Sequence, residues 1–204
     1  IVDRALSLGF GEIELGYNVT DAQIPGLESR LGEIVFGSVH AFAPVPISAP
    51  LEHPELYRMA SLSEEERKLS RIYISRSMEF AAKMGASTLV LHAGRVSAKS
   101  FFGRDTLSAR LRSGRKMIDV VKGEIDFLLP RLEALGVTLA LENMPYIEGF
   151  PNLSELKNIT EAFKGAPVKG WLDTGHYFLG VLKGFESVKL DGRFQVVRTG
   201  LDAT

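Results

Sequence analysis

The sequence contains no cysteine. Thiolate zinc sites, disulfide frameworks and cysteine nucleophiles are therefore excluded, and a reducing compartment fits. No apolar run approaches the ~20 residues that a membrane helix requires, and the first residues lack a basic stretch followed by a hydrophobic signal core. A soluble, cytoplasmic protein with no membrane partner is the expectation. Charge of one sign is also lacking: 24 Lys and Arg face 25 Asp and Glu, for a net charge of −1. Nucleic-acid partners normally need an excess of basic residues, so none is expected. The segment 95–116, "RVSAKSFFGRDTLSARLRSGRK", is a local exception with Asp105 as its only acid. It reads as a solvated loop and helix face rather than a phosphate site, although Arg95, Arg104, Arg110 and Arg112 have the chemistry to meet a phosphate. No Gly-x-Gly-x-x-Gly follows the first predicted strand, so the usual mark of a dinucleotide site is missing.

What remains is an ordinary globular composition, 45% hydrophobic and 24% charged over 204 residues. A chain of this length buries roughly 70% of its unfolded surface without help from disulfides or structural metals. A bound metal would therefore point to function. No linker, low-complexity stretch or repeat divides the chain, and a single domain over 1–204 is expected.

Five segments read as buried strands: "GEIEL" (11–15), "VFGSVHAF" (35–42), "STLVLHAG" (87–94), "GVTLALENM" (136–144) and "VKGWLDTG" (168–175). The third and fourth are near-continuous apolar runs, the pattern of parallel strands covered on both faces. Helical patterns lie between them. Ser63 and Glu66 form a capping box before an amphipathic run that Gly85 stops. A second helix is expected from about Ile118 to Leu135 with a kink at Pro130, a shorter one after Asn152 or Ser154, and a first one in "IVDRALSLGF". This alternation predicts an α/β fold with a parallel sheet, open or closed into a barrel.

The polar residues on these strands follow a rule. His40 ends the second strand and His92 the third, Glu142 and Asn143 end the fourth, and Asp173 ends the fifth with His176 just beyond. A polar residue at one strand tip commonly caps a helix or bonds a loop. Four in succession, all at carboxyl ends, mark the face on which parallel α/β folds build their sites. The fourth histidine, His53, lies in a proline-rich loop and is expected to face solvent. Carboxylate and imidazole ligands together suit zinc, manganese, magnesium, iron or cobalt with open positions for substrate. Metal-free use of Glu142 with Asp173 as paired acid and base stays open, and would leave two histidines idle.

"SVHAF", "LVLHAG", "LALENMP" and "GWLDTGHYF", in this order and spacing, resemble the xylose isomerase-like TIM barrel superfamily. Its members include sugar phosphate isomerases and epimerases, ketose 3-epimerases and the endonuclease IV class of DNA repair nucleases. The resemblance covers about residues 1 to 180. It implies that Glu142 ligates a divalent metal (Mn, Zn, Mg or Co) and moves the substrate proton, and that Asp173 is a second ligand. It implies that His176 contacts substrate in the sugar enzymes and a metal in the nucleases. His40 and His92 match positions that line the sugar pocket or, in the nucleases, bind metal; His92 is thus a further candidate ligand. Asn143 is expected at the substrate, and Glu14 matches a glutamate common on the family's second strand.

The family pattern continues with a histidine-bearing strand and a last strand ending in a glutamate. After His176 this sequence has no histidine, and Glu186 and Asp191 stand in poor context; the usual first strand is also missing. Since a closed barrel takes about 250 residues, about six of eight strands are expected, counting "FQVVR" as one. Three explanations stay open: a piece of a longer chain, a truncated product, or a shortened barrel closed by a partner subunit, for which exposed edges would favour a homo-oligomer. The leading functional expectation is a metal-dependent sugar or sugar phosphate isomerase or epimerase that moves a proton next to a carbonyl through an enediolate. The alternatives are a zinc phosphodiesterase on abasic DNA and a catalytically inactive barrel remnant serving as a binding module.

Overall fold

The apolar runs become a parallel sheet in the computed structural model, which describes residues 1–46, 57–96, 106–182, 189–190 and 194–195. In chain order the elements are α1 (Val2–Ser7), β1 (Glu12–Leu15), a 3-10 turn (Asp21–Gln23) running into α2 (Ile24–Glu28), β2 (Val35–His40), α3 (Glu64–Lys83), β3 (Thr88–Leu91), β4 (Gly94–Arg95), α4 (Thr106–Leu135), β5 (Thr138–Glu142), β6 (Gly149–Phe150), α5 (Leu153–Ala162), β7 (Val168–Trp171), α6 (Thr174–Leu182), β8 (Lys189–Leu190) and β9 (Phe194–Gln195). The five strands β1, β2, β3, β5 and β7 pair in that order, all parallel. Two antiparallel ribbons, β4 with β6 and β8 with β9, stand apart from this sheet.

Register separates the sheet into two faces. Val39, Leu89 and Leu139 align across β2, β3 and β5, as do Leu91 and Leu141, and all five are fully buried. Side chains of this kind are each worth about 1.5–3 kcal/mol when taken from water. Helices cover this face: α3 packs on β2 and β3, α5 on β7, and α4 joins α3 to α5. At Gly170 of β7 an added Cβ would lie 3.1 Å from Leu156 Cδ2, so the glycine lets α5 approach closely. The alternate positions carry Ser38, His40, Val90, Ala140, Glu142, Lys169 and Trp171 on the other face.

The helices follow local chemistry. Ser63 caps α3 by accepting from the Glu66 amide at 3.4 Å, and Gly85 just beyond has a left-handed φ of 72°. Helix α4 begins at Thr106, twelve residues before the expected start, and runs as one helix through Pro130. Its buried Glu124 accepts from Arg67 Nε at 3.0 Å and from Arg71 Nε at 2.6 Å and Nη2 at 2.7 Å, which fastens it to α3. No described helix is long and apolar enough to cross a membrane.

Of the sixth strand expected at "FQVVR", Phe194–Gln195 pairs antiparallel with Lys189–Leu190, and 196–198 lie outside the described residues. Among the described residues the sheet is therefore open and five-stranded. No described strand pairs with β7 on its outer edge, and Lys169 and Trp171 are exposed.

Candidate metal centre

Glu142 is the last residue of β5, and its side chain, only 6% exposed, is the hub of the strand ends. Oε2 lies 3.2 Å from His40 Nε2 at the end of β2 and 3.1 Å from His92 Nε2 just past β3. Oε1 lies 3.1 Å from His176 Nδ1 in the first turn of α6. The ring of His92 meets that of His40 edge-on at 4.8 Å and that of His176 at 6.0 Å, and Tyr17 backs His40 at 5.6 Å. Two ligand groups result, His40 with His92 and Glu142, and Glu142 with Asp173 and His176. In each, one ligand atom per residue lies within 4.8 Å of the others.

The electrostatics fit a cation. Burial by itself raises the pKa of Glu142, but hydrogen bonds from His40 and His92, and their charge, hold it down at about 2. His40 Nδ1 lies 2.8 Å from the Ala41 carbonyl, which can only accept, so Nδ1 carries the proton and Nε2 is turned to the carboxylate. His40 Nε2 and the ionised carboxylate oxygen face each other across 3.2 Å, and a divalent ion held by these nitrogens and oxygens would supply positive charge between them. The donor set, imidazole with carboxylate and no sulfur, suits zinc, manganese or cobalt. The described residues thus present a cluster able to coordinate a divalent metal.

Asp173 performs two tasks at once. Oδ1 accepts from the His176 amide at 2.6 Å, capping α6, while Oδ2 lies 4.0 Å from His176 Nδ1 on the side of the cluster. The acid and imidazole three residues apart in "GWLDTGHYF" are therefore the cap and first turn of a helix, both turned to one site. Gly175 lies within α6 without a left-handed φ, and the helix itself turns His176 back to the site.

The other sequence candidates divide. Asn143, fully buried, adjoins Glu142 and bonds the Asp173 peptide. Glu14 belongs to neither ligand group; it accepts from Ser38 Oγ at 2.6 Å, two residues before His40 on the same face of β2. Ser38 and Tyr17 were not singled out in the sequence, although period-two spacing from His40 marks Ser38. Arg110 is buried and bound to Glu155 of α5 by Nη1 at 2.6 Å and Nη2 at 2.8 Å, so its guanidinium is occupied within the fold. Arg95 and Arg112 are exposed, while His53, Arg104, Glu186 and Asp191 lie outside the described residues.

With this geometry in hand, likenesses to known proteins take on meaning. The family model described as xylose isomerase-like TIM barrel matches residues 2–195. No curated protein matches the sequence. Among solved structures, a D-tagatose 3-epimerase-like protein is 21% identical with a TM-score of 0.60, covering 82% of this chain and 58% of its own. The 3-keto-D-glucoside 4-epimerase from E. coli, in its apo form, is 16% identical with a TM-score of 0.66, covering 86% and 63%. A D-psicose 3-epimerase from Clostridium cellulolyticum H10, with D-tagatose, is 18% identical with a TM-score of 0.59, covering 94% and 61%. At these identities the likeness is one of fold, and the chain spans 58% to 63% of the length of these three structures.

Proposed function

The chain belongs to the xylose isomerase-like TIM barrel family, and from that premise we propose that it is a single-domain, cytoplasmic, metal-dependent isomerase or epimerase of a small sugar or sugar phosphate. The observation that carries this reading is the convergence of three imidazoles and Asp173 on one buried carboxylate at the strand ends. Glu142 and Asp173 are the proposed ligands, with His92 and His176 as further donors. When bound, a divalent ion supplies a Lewis acid for the substrate carbonyl and electrostatic stabilisation for an enediolate.

The chain's own residues do the rest. Glu142 is ionised at neutral pH and is the proposed proton carrier at the carbon next to the carbonyl. That role requires His40 and His92 to turn their hydrogen bonds away from it, which raises its proton affinity toward the ordinary carboxylate range. His176 and Asp173, with side chains 24% and 37% exposed, lie on the accessible side, where His176 is the proposed contact to substrate oxygens. His40 and Glu14, carried by the neighbouring strands β2 and β1, are the further proposed lining of the substrate pocket.

A second reading has one observation in its favour. The two ligand groups share Glu142, with Oε2 turned to His40 and His92 and Oε1 to His176, an arrangement that suits two adjacent cations and phosphodiester hydrolysis. The net charge of −1 opposes a nucleic-acid substrate.

Elemental analysis and titration with manganese and zinc test the centre, with Glu142→Ala and Asp173→Ala as controls. Near-stoichiometric metal lost in both variants is expected. Solvent deuterium entering a ketose next to its carbonyl, in a panel of sugars and sugar phosphates, then identifies the isomerase. Metal without exchange, together with salt-sensitive binding to abasic DNA, would move the assignment to the nuclease. Absence of both metal and exchange would make the chain a binding module.

A further inference from the structure

The β5–β7 ladder ends with the Asn143 amide donating to the Trp171 carbonyl at 3.3 Å. Beyond that point the two chains are joined by a side chain. Asn143 Oδ1 accepts from the Asp173 amide at 2.8 Å, and Nδ2 donates to the Asp173 carbonyl at 3.1 Å. The side-chain amide thus meets both polar groups of one residue, as a neighbouring strand would. One residue therefore fastens Asp173 twice, and the fastening is shielded because Asn143 is 0% exposed. Its backbone carbonyl also accepts from His176 Nδ1 at 2.9 Å. The same nitrogen lies 3.1 Å from Glu142 Oε1, so the bond fixes the ring against the carboxylate.

We propose that Asn143 is a positioning residue: its side-chain amide clasps the Asp173 peptide and its carbonyl orients His176, holding the Asp173 and His176 half of the centre in register with Glu142. This role stands in place of the substrate contact expected from the sequence, and it rests on the metal-dependent reading of the site. The residue type follows from the geometry. Aspartate keeps an acceptor for the Asp173 amide but sets an anionic oxygen against the Asp173 carbonyl. Glutamine offers both groups on a stem one carbon too long. Alanine leaves the Asp173 N–H without its acceptor and the Asp173 carbonyl with the Tyr177 amide alone.

The test compares the parent chain, Asn143→Asp, Asn143→Ala and a control with a matched loss of melting temperature made in the helix-facing core, Ile159→Val or Leu139→Ala. Cobalt binding is followed by visible absorption, and amide hydrogen exchange at Asp173 is followed in the metal-free protein. Both Asn143 variants are expected to bind cobalt 10- to 100-fold more weakly with altered d–d bands, while the control keeps the parent affinity and spectrum. Faster exchange at Asp173 is expected in Asn143→Ala. Parent-like cobalt affinity and bands in both Asn143 variants, or an equal loss in the control, overturns the proposal. If the parent itself takes up no cobalt, the metal reading fails; the clasp is then judged on exchange alone, and unchanged Asp173 protection in Asn143→Ala refutes it.

Discussion

Replacing Arg110 with alanine is expected to cost the folded chain about 3–5 kcal/mol. The side chains of Arg110 and Glu155 are only 5% and 8% exposed, and they meet through two parallel bonds of 2.6 and 2.8 Å. Arg110 also donates from Nε to the Ile147 carbonyl at 2.6 Å and from Nη2 to the Gly149 carbonyl at 2.8 Å. Its removal leaves a buried carboxylate and two carbonyls without their donor. Part of the loss is recovered, because Glu155 keeps the Asn152 amide at 2.9 Å and stays in the first turn of α5, where the helix dipole favours an anion. For a chain of this size, each kcal/mol lowers the melting temperature by roughly 2–4 °C, so a fall on the order of 10 °C is expected. Urea denaturation of Arg110→Ala, Arg110→Met, Glu155→Leu and the double variant Arg110→Met with Glu155→Leu measures it. The double variant should lose less than the sum of the single losses, since no lone charge stays buried. A loss below about 1 kcal/mol in Arg110→Ala, or strict additivity, would refute the reasoning.

Two further outcomes follow from the same structure. The carboxyl of Glu142 is held at about 2 instead of 4.5, so its stabilising effect is complete above the unfolded value and is lost as pH falls from there toward 2. By linkage it amounts to at most about 3 kcal/mol, less what water screens. Denaturation of the metal-free chain against Glu142→Gln from pH 7 to pH 3 should show the gap between the two closing, and a constant gap would contradict the assignment. Glycines in α4 should respond with opposite signs. A Cβ on Gly123 meets nothing within 4 Å, and alanine there should stabilise by about 0.5–1 kcal/mol. A Cβ on Gly114 would collide with Glu155 Oε1 and Arg110 Nη1, and alanine there should destabilise by about 1–3 kcal/mol. Equal signs in a thermal melt would argue against the packing of α4 on α5.

The five parallel strands were legible because their apolar runs alternate with amphipathic helical patterns, and their ends because polar residues recur there. The Ser63 cap could be read from spacing alone, whereas the start of α5, left between Asn152 and Ser154, is settled by the capping box of Asn152 with Glu155. The early part of α4 could not be read that way. Its arginines and Gly114 read as solvated, and only a partner 45 residues away in sequence, Glu155, accounts for a buried Arg110. Helix α6 was hidden for a different reason: Asp173 looked like either ligand or cap, and its two oxygens allow both. The sixth strand was inferred from a family count, and of its residues the structure describes only Phe194–Gln195, which pairs with Lys189–Leu190 apart from the main sheet. Convergence of His40, His92 and His176 on Glu142 required the sheet register, which no local pattern contains.

The ribbon of β4 and β6 ties the loop after β3 to the loop after β5, with the Val96 amide donating to the Glu148 carbonyl at 2.7 Å and Arg110 holding the β5 side from below. Mechanically, 94–96 and 148–150 form a single body. A movement of either alone breaks shared backbone bonds, so slow fluctuations at Glu148 should be matched in rate at Val96. Closure around a ligand then moves both loops together or leaves both in place.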